Sequence, residues 1–342
     1  MNKPLELKPS QTRSRLSGMR SKPALAIYAG VLILLLIVAN FTLNDYYLRL
    51  VNLVGINIIL VVSLNLTNGY TGIFSLGHAG FMAVGAYTTA LLTYPLARKP
   101  LLFPQMPAWL QQIELPFVVA MLIGGVLAVI CSFLIGFSVL KLRGHYLAVS
   151  TMGFMVIINV LASNLTDFTR GKSGISGLPK VSNIWWVYAI VAITIYFVWR
   201  LLHSSYGRAM LAIREDDLAA EAMGVKVVRH KMFAFASGAF FAAIGGSLYG
   251  HLITSINPSM FSYSMTFNLV LMLVIGGSGT ISGAVLGSIL VTLIPELLLN
   301  KLERGVELFG VQLPQMYGIS QVLMSAALII TIILRPKGLL GK

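Results

Sequence analysis

The chain has 342 residues, 57% of them hydrophobic and only 11% charged, with a mean hydropathy of +0.83 and a formal net charge of +14. Soluble domains carry about a quarter charged residues, so this chain cannot cover its own surface with polar groups, and lipid must be the solvent for most of it. The polar stretches are too short for a separate soluble domain, so no enzyme activity is expected here, and a lone cysteine, Cys131, excludes a disulfide framework or a cysteine-built metal cluster within the chain.

Residues 1–23 hold Lys3, Lys8, Arg13, Arg15, Arg20 and Lys22 and read as a basic tail. The apolar run that follows, 24–43, is too long for a signal peptide and lacks a convincing small-x-small site, so it reads as an uncleaved first span. Further apolar runs lie at 50–67, 80–96, 117–140, 145–163, 183–202, 232–252, 264–276, 284–299 and 319–335. A full crossing needs about 20 residues. The runs at 80–96, 264–276 and 284–299 are shorter and are expected to be tilted, broken or re-entrant. The expected fold class is therefore all-α, a polytopic transmembrane bundle of eight to ten segments over 24–335, with a cytoplasmic loop at 203–231 and a short tail at 336–342.

Placing the N-terminus in the cytoplasm and alternating sides puts seventeen of the 25 lysines and arginines in the inner segments 1–23, 141–144, 200–231 and 335–342. That asymmetry is what the positive-inside rule requires, with both termini cytoplasmic. Because the basic residues sit in short segments between apolar runs, the charge orients the chain in a membrane rather than gripping nucleic acid. Trp185 and Trp186 flank a span end, where interfacial aromatics belong.

Glycines cluster at Gly69, Gly72, Gly77, Gly80 and Gly85, at Gly245, Gly246 and Gly250, and at Gly276, Gly277, Gly279 and Gly283. Small residues either let helices approach or let backbone unwind at membrane depth. The clustering beside short segments points to broken helices around a central path. Polar residues inside apolar runs are expensive and therefore informative. Asn65, Asn68, Ser75, His78, Ser150, Asn159 and Asn268 are the candidates for lining that path, with interhelical hydrogen bonding as their plainer role. Glu296 is the one acid well inside an apolar run, so proton-coupled relays are poorly represented. A path with few fixed charges suits a neutral or zwitterionic solute better than phosphate or sulfate.

The segment 203–231 is the most distinctive. Leu211, Ala212, Ile213, Leu218, Ala219, Ala222 and Met223 recur at helical spacing, with Arg214, Glu215, Asp216, Asp217 and Glu221 supplying charge and Gly224 placed to end the helix. A helix resting on anionic lipid would carry a basic polar face. The acidic run argues instead for a short amphipathic helix that docks into a partner's groove.

Three stretches carry a family resemblance: Asn68 to Tyr87 around Ser75 and His78; Thr169, Arg170, Gly171, Lys172, Gly174, Gly177 and Pro179; and Gly207, Arg208, Arg214 to Asp217, then Glu221, Ala222 and Gly224. In this order they resemble the branched-chain amino acid permeases of ABC importers, the LivM-like subunit, from about residue 50 onward. Urea permeases share the motifs. The resemblance implies a bacterial inner-membrane permease working with a second, LivH-like permease, two cytoplasmic ATP-binding subunits and a periplasmic solute-binding protein. ATP and Mg would be held by the ATPases, with no cofactor in this chain. It also implies that Gly207, Arg208, Arg214, Glu215, Asp216, Asp217, Glu221, Ala222 and Gly224 form the coupling element to the ATPase. Glu221-Ala222-Met223-Gly224 departs from the wider E-A-A-x-x-x-G pattern in its glycine spacing. The outer loop with Thr169, Arg170, Lys172, Gly174 and Gly177 would face the binding protein.

Overall fold

The computed structural model describes residues 36–38, 40–142, 144–299, 307–308, 311–312, 318–335 and 338–341. The basic tail 1–23 and most of the first span expected at 24–43 lie outside these residues. Contacts divide the chain into two units, Met1–Leu48 and Arg49–Lys342. In the first, residues 36–38 and 40–42 are helical, and the Thr42 hydroxyl donates back to the Val38 carbonyl at 2.7 Å.

The helices, in order, are α1 (Asp45–Asn65), α2 (His78–Thr93), α3 (Lys99–Leu102), α4 (Ala108–Gln111), α5 (Phe117–Val139), α6 (His145–Asn164), α7 (Thr166–Thr169), α8 (Ile184–Leu202), α9 (Ser205–Glu215), α10 (Asp217–Ala222), α11 (Val227–Ile253), α12 (Tyr263–Gly276), α13 (Ile281–Ile294) and α14 (Ile319–Leu334). Two antiparallel pairs of very short strands complete it: β1 (Ile175–Ser176) with β2 (Ser255–Ile256), and β3 (Glu307–Leu308) with β4 (Val311–Gln312). Five helical stretches among the described residues are long and apolar enough to cross a bilayer: 45–70, 117–139, 145–164, 184–202 and 227–253. Tyr263–Gly276, Ile281–Leu297 and Val322–Thr331 are apolar but shorter.

Burial sorts the long helices. The most apolar window of α1 with its extension is 89% buried and that of α11 78%, against 33% for α5 and α6 and 39% for α8. A helix apolar all round belongs in a core, and one exposing its apolar face belongs against lipid. So α1 and α11 form the interior, and α5, α6 and α8 surround it with much of their apolar surface exposed on this chain.

Small residues make the core dense. A Cβ on Gly85 of α2 would fall 2.1 Å from the Ala243 carbonyl of α11, and one on Gly246 would fall 2.1 Å from the Met82 carbonyl. Only glycine permits that approach. The two helices are then stitched by hydroxyls: Thr89 to Ser247 at 2.7 Å, Ser247 to the Gly85 carbonyl at 3.1 Å, and Thr93 to the His251 ring at 2.8 Å. The cluster Gly245–Gly246–Gly250 therefore packs an unbroken α11, contrary to the expectation of a break there. The other two clusters do mark breaks. α1 runs into a π turn, Leu66–Tyr70, and the chain is then extended up to α2, with Gly72 at φ +71°. Gly277 and Gly279, at φ +113° and +78°, make the tight turn between α12 and α13.

The stretch between α2 and α5, which the hydropathy pattern leaves as loop, folds into α3 and α4 over Lys99. Its side chain is fully buried and donates to the Leu110 and Ile113 carbonyls. That burial lowers its pKa, opposed by the nearby Glu114 carboxylate.

Candidate coupling site

The chain between α8 and α11 is built from caps. The Ser204 hydroxyl accepts from the Gly207 N–H at 3.3 Å and starts α9. At Gly207 a Cβ would lie 2.4 Å from the Leu201 carbonyl, so the α8–α9 corner needs glycine. α9 buries Met210 and Ile213, while the Arg208 guanidinium stays outside and donates to the Ser205 hydroxyl at 3.0 Å. The backbone then leaves the helix at Asp216 (φ −157°, ψ 115°), whose carboxylate accepts from the Leu218 and Ala219 N–H groups at 2.8 and 3.1 Å. The single helix expected across this segment is thus two, because an aspartate side chain offers the backbone a cap that a continuous helix would forgo. α10 closes in a Schellman motif: Gly224, at φ +82°, donates to Glu221 at 2.9 Å, and Val225 to Ala220 at 3.0 Å.

Asp217 is also engaged. It pairs at 2.5 Å with Lys231 of α11, whose side chain is only 10% exposed. Two of the three consecutive acids therefore hold the element itself together, leaving Glu215 and Glu221 facing outward. Beside them α10 exposes Leu218 (61%) and Met223 (85%), together with Ala219 and Ala222. Lys231 was not foreseen. Its partner lies fourteen residues away, across a helix end and a turn, a spacing that no helical periodicity marks.

Arg214 lies at the junction between this element and the two helix breaks. A Cβ on Gly279 would come 2.3 Å from its Nη1, and one on Gly72 would come 3.3 Å from its Cα. Gly279 and Thr280 are in turn gripped by Asn65, the last residue of α1: its Oδ1 accepts from the Gly279 N–H at 2.9 Å, and its Nδ2 donates to the Thr280 carbonyl at 2.9 Å. Asn65, expected along a path, is fully buried in this tie.

The other polar candidates divide. Asn68 clasps Ser75 through both backbone groups, at 3.1 and 3.2 Å, closing the extended loop, and Ser75 is buried. His78 is buried against the Ser63 hydroxyl at 2.9 Å. Asn159, half-buried, donates to the Pro258 carbonyl at 2.6 Å. Ser150, half-buried on α6, bonds back to Tyr146 at 2.8 Å, and Asn268 is exposed on α12. A groove of about 1490 Å³ runs between α5, α8 and α11, walled by Phe133, Phe137, Phe197 and Phe240 and ending at Asp217, Glu221 and Lys226; none of the seven polar candidates lines it.

The loop at 169–177 is held by its own hydrogen bonds and turns. The Thr169 hydroxyl donates to the Ala162 and Leu165 carbonyls at 2.6 and 2.7 Å. Arg170 takes a left-handed conformation at φ 61°, and Gly171, Gly174 and Gly177 follow with φ of +59°, +69° and +78°. A Cβ on Gly174 would fall 2.1 Å from the Ile256 carbonyl, on the strand that pairs with β1. Arg170 and Lys172 are left exposed on this frame.

Residues 46–333 match the family model described as branched-chain amino acid transport system / permease component. The chain is 29% identical to the high-affinity branched-chain amino acid transport system permease protein LivM of Escherichia coli, over 92% of this chain and 74% of that one. It is 26% identical to the probable branched-chain amino acid transport permease protein LivM of Methanocaldococcus jannaschii, over 84% and 90%. It is also 28% identical to the L-arabinose transport system permease protein AraH of Escherichia coli, over 57% and 60%. Apolar helices in number and this match together place the chain in the branched-chain amino acid transport permease family, as a multi-pass helical membrane protein.

Proposed function

We propose that this chain is the membrane-spanning permease subunit of an ATP-driven importer, that it carries branched-chain amino acids across the inner membrane, and that it performs no covalent chemistry. One observation carries this reading: a short capped helix, α10, is braced between membrane helices by the Asp217–Lys231 pair and presents Leu218 and Met223 outward between Glu215 and Glu221. A rigid apolar knob with a charged rim is a docking element. Its occupant in this reading is one of two cytoplasmic ATP-binding subunits, which supply ATP and Mg. The 203–231 loop and both termini are then cytoplasmic. Arg170 and Lys172 face a periplasmic binding protein. Ser150, Asn159 and Asn268, on the less buried faces of α6 and α12, line the path together with a second, LivH-like permease, while Asn65, Asn68, Ser75 and His78 support it. The LivM relatives favour branched-chain amino acids as cargo, and the scarcity of charge at membrane depth agrees with a zwitterion.

Met223→Asp and Leu218→Asp test the reading without disturbing the caps. Co-purification of the ATP-binding subunits is expected to fall about ten-fold, with insertion unchanged. Retention of the ATPases by both variants would overturn it. Uptake of leucine against urea by the assembled transporter then decides the cargo.

A further inference from the structure

The far end of the chain returns to the joint at Arg214. After α14 the Gly338 N–H donates to the Arg335 carbonyl at 2.8 Å, and the chain turns at Gly338 with φ +77°. The next residues run along the end of α12. Leu339 N–H donates to the Ile275 carbonyl at 3.0 Å, and Leu340 N–H to the Gly276 carbonyl at 2.9 Å. These carbonyls belong to the last turn of a helix and have no partner within it, so the tail supplies the donors α12 lacks. The Thr280 hydroxyl accepts from Gly283 N–H at 3.1 Å, capping α13, and donates to the Leu340 carbonyl at 3.1 Å. The approach is backbone to backbone: a Cβ on Gly277 would lie 2.3 Å from the Gly341 nitrogen, and one on Gly338 2.5 Å from the Val274 carbonyl.

We propose that residues 338–341 are a strap that fixes the α12–α13 turn, so that Arg214 acts as the positioning residue through which movement of the coupling element reaches the broken helices. The turn is held on one side by Asn65 at the end of α1 and on the other by the strap, and the Arg214 guanidinium lies on Gly279 between them. With both sides tied, displacement of α9 moves α12, α13 and the end of α1 as one body. With the strap released, the two glycines of the turn absorb the displacement. The proposal rests on the reading of α9–α10 as the ATPase dock. The strap also lies beyond residue 333, where the family match ends.

The test uses the assembled transporter in proteoliposomes, reading ATPase retention and solute uptake per ATP hydrolysed. Four changes are compared: truncation after residue 337; Leu340→Pro, which removes the N–H that bonds Gly276; Leu340→Ala, which keeps every backbone bond of the strap; and Arg214→Met, which removes the guanidinium lying on Gly279. The expected result is retained ATPase and retained hydrolysis with uptake per ATP about ten-fold lower for truncation and Leu340→Pro. Leu340→Ala should behave as the parent, and Arg214→Met should lower uptake per ATP by a similar factor. Unchanged uptake per ATP in the truncated and proline forms overturns the strap while leaving the importer reading intact. A defect in Leu340→Ala equal to that of Leu340→Pro overturns it too. So does failure of Leu340→Pro to assemble, because the tail would then serve folding and not coupling. If the parent chain itself retains no ATPase, the importer reading falls and takes the strap with it.

Discussion

Lys231 is a cation almost withdrawn from solvent, and its ion pair with Asp217 makes that placement tolerable. The two halves of the pair are unequal. Asp217, 29% exposed, can be rehydrated when its partner is removed, whereas Lys231 cannot. Asp217→Asn is therefore expected to cost about 1.5–3 kcal/mol, and Lys231→Met distinctly less; thermal unfolding in detergent with the two variants side by side checks the order, and equal losses would refute it. The residue types of this site are legible in the amino-acid sequence, but their assignments are not. Glu215, Asp216 and Asp217 look alike in a row, yet one faces water, one caps a helix and one pairs with a lysine fourteen positions on. An aspartate is a strong N-cap signal, which could have located the break at Asp216. The apolar spacing across 211–223 hid it, because the same residues suit one helix or two.

Helix packing shows the same lesson for glycine. Gly246 and Gly224 are indistinguishable as letters, but one is needed for space and the other for its dihedral. At Gly246 a methyl group would press on the Met82 carbonyl and push α2 from α11; at Gly224 nothing lies within 4 Å, and the φ of +82° is the sole obstacle. Gly246→Ala is expected to cost about 3 kcal/mol, the upper end for overpacking, and to lower the unfolding temperature of the whole chain. Gly224→Ala should cost about 1 kcal/mol, felt within α10, so that ATPase retention drops before global stability does. The reverse ranking would show that the α2–α11 contact yields more easily than its backbone proximity indicates. Hydropathy also left α3 and α4 invisible, since two helices of four residues each bury too little to produce a period.

Across the whole molecule, the long apolar runs were the most readable feature: the spans expected at 117–140, 145–163, 183–202 and 232–252 agree with α5, α6, α8 and α11 to within a few residues. Sidedness rests on charge alone and is open to a direct check. A single cysteine replacing Lys172 should react with an impermeant thiol reagent applied outside, and one replacing Met223 only from inside, in a Cys131→Ser background. Labelling of both from the same face would remove the orientation proposed here. What no linear reading reveals is how far apart in the chain the polar partners lie. The Thr89–Ser247 and Thr93–His251 bonds each join positions 158 residues apart, and Asn65 waits for Gly279. A ribosome adding about 5–20 residues per second needs roughly 8–30 s to make the intervening chain. Through that interval Thr89 and Thr93 of α2 are without Ser247 and His251. Birth of this protein is thus governed by its slowest partner: the first core helices must be sheltered until α11 emerges, and a ribosome that stalls before residue 247 leaves a membrane intermediate rather than a shorter working permease.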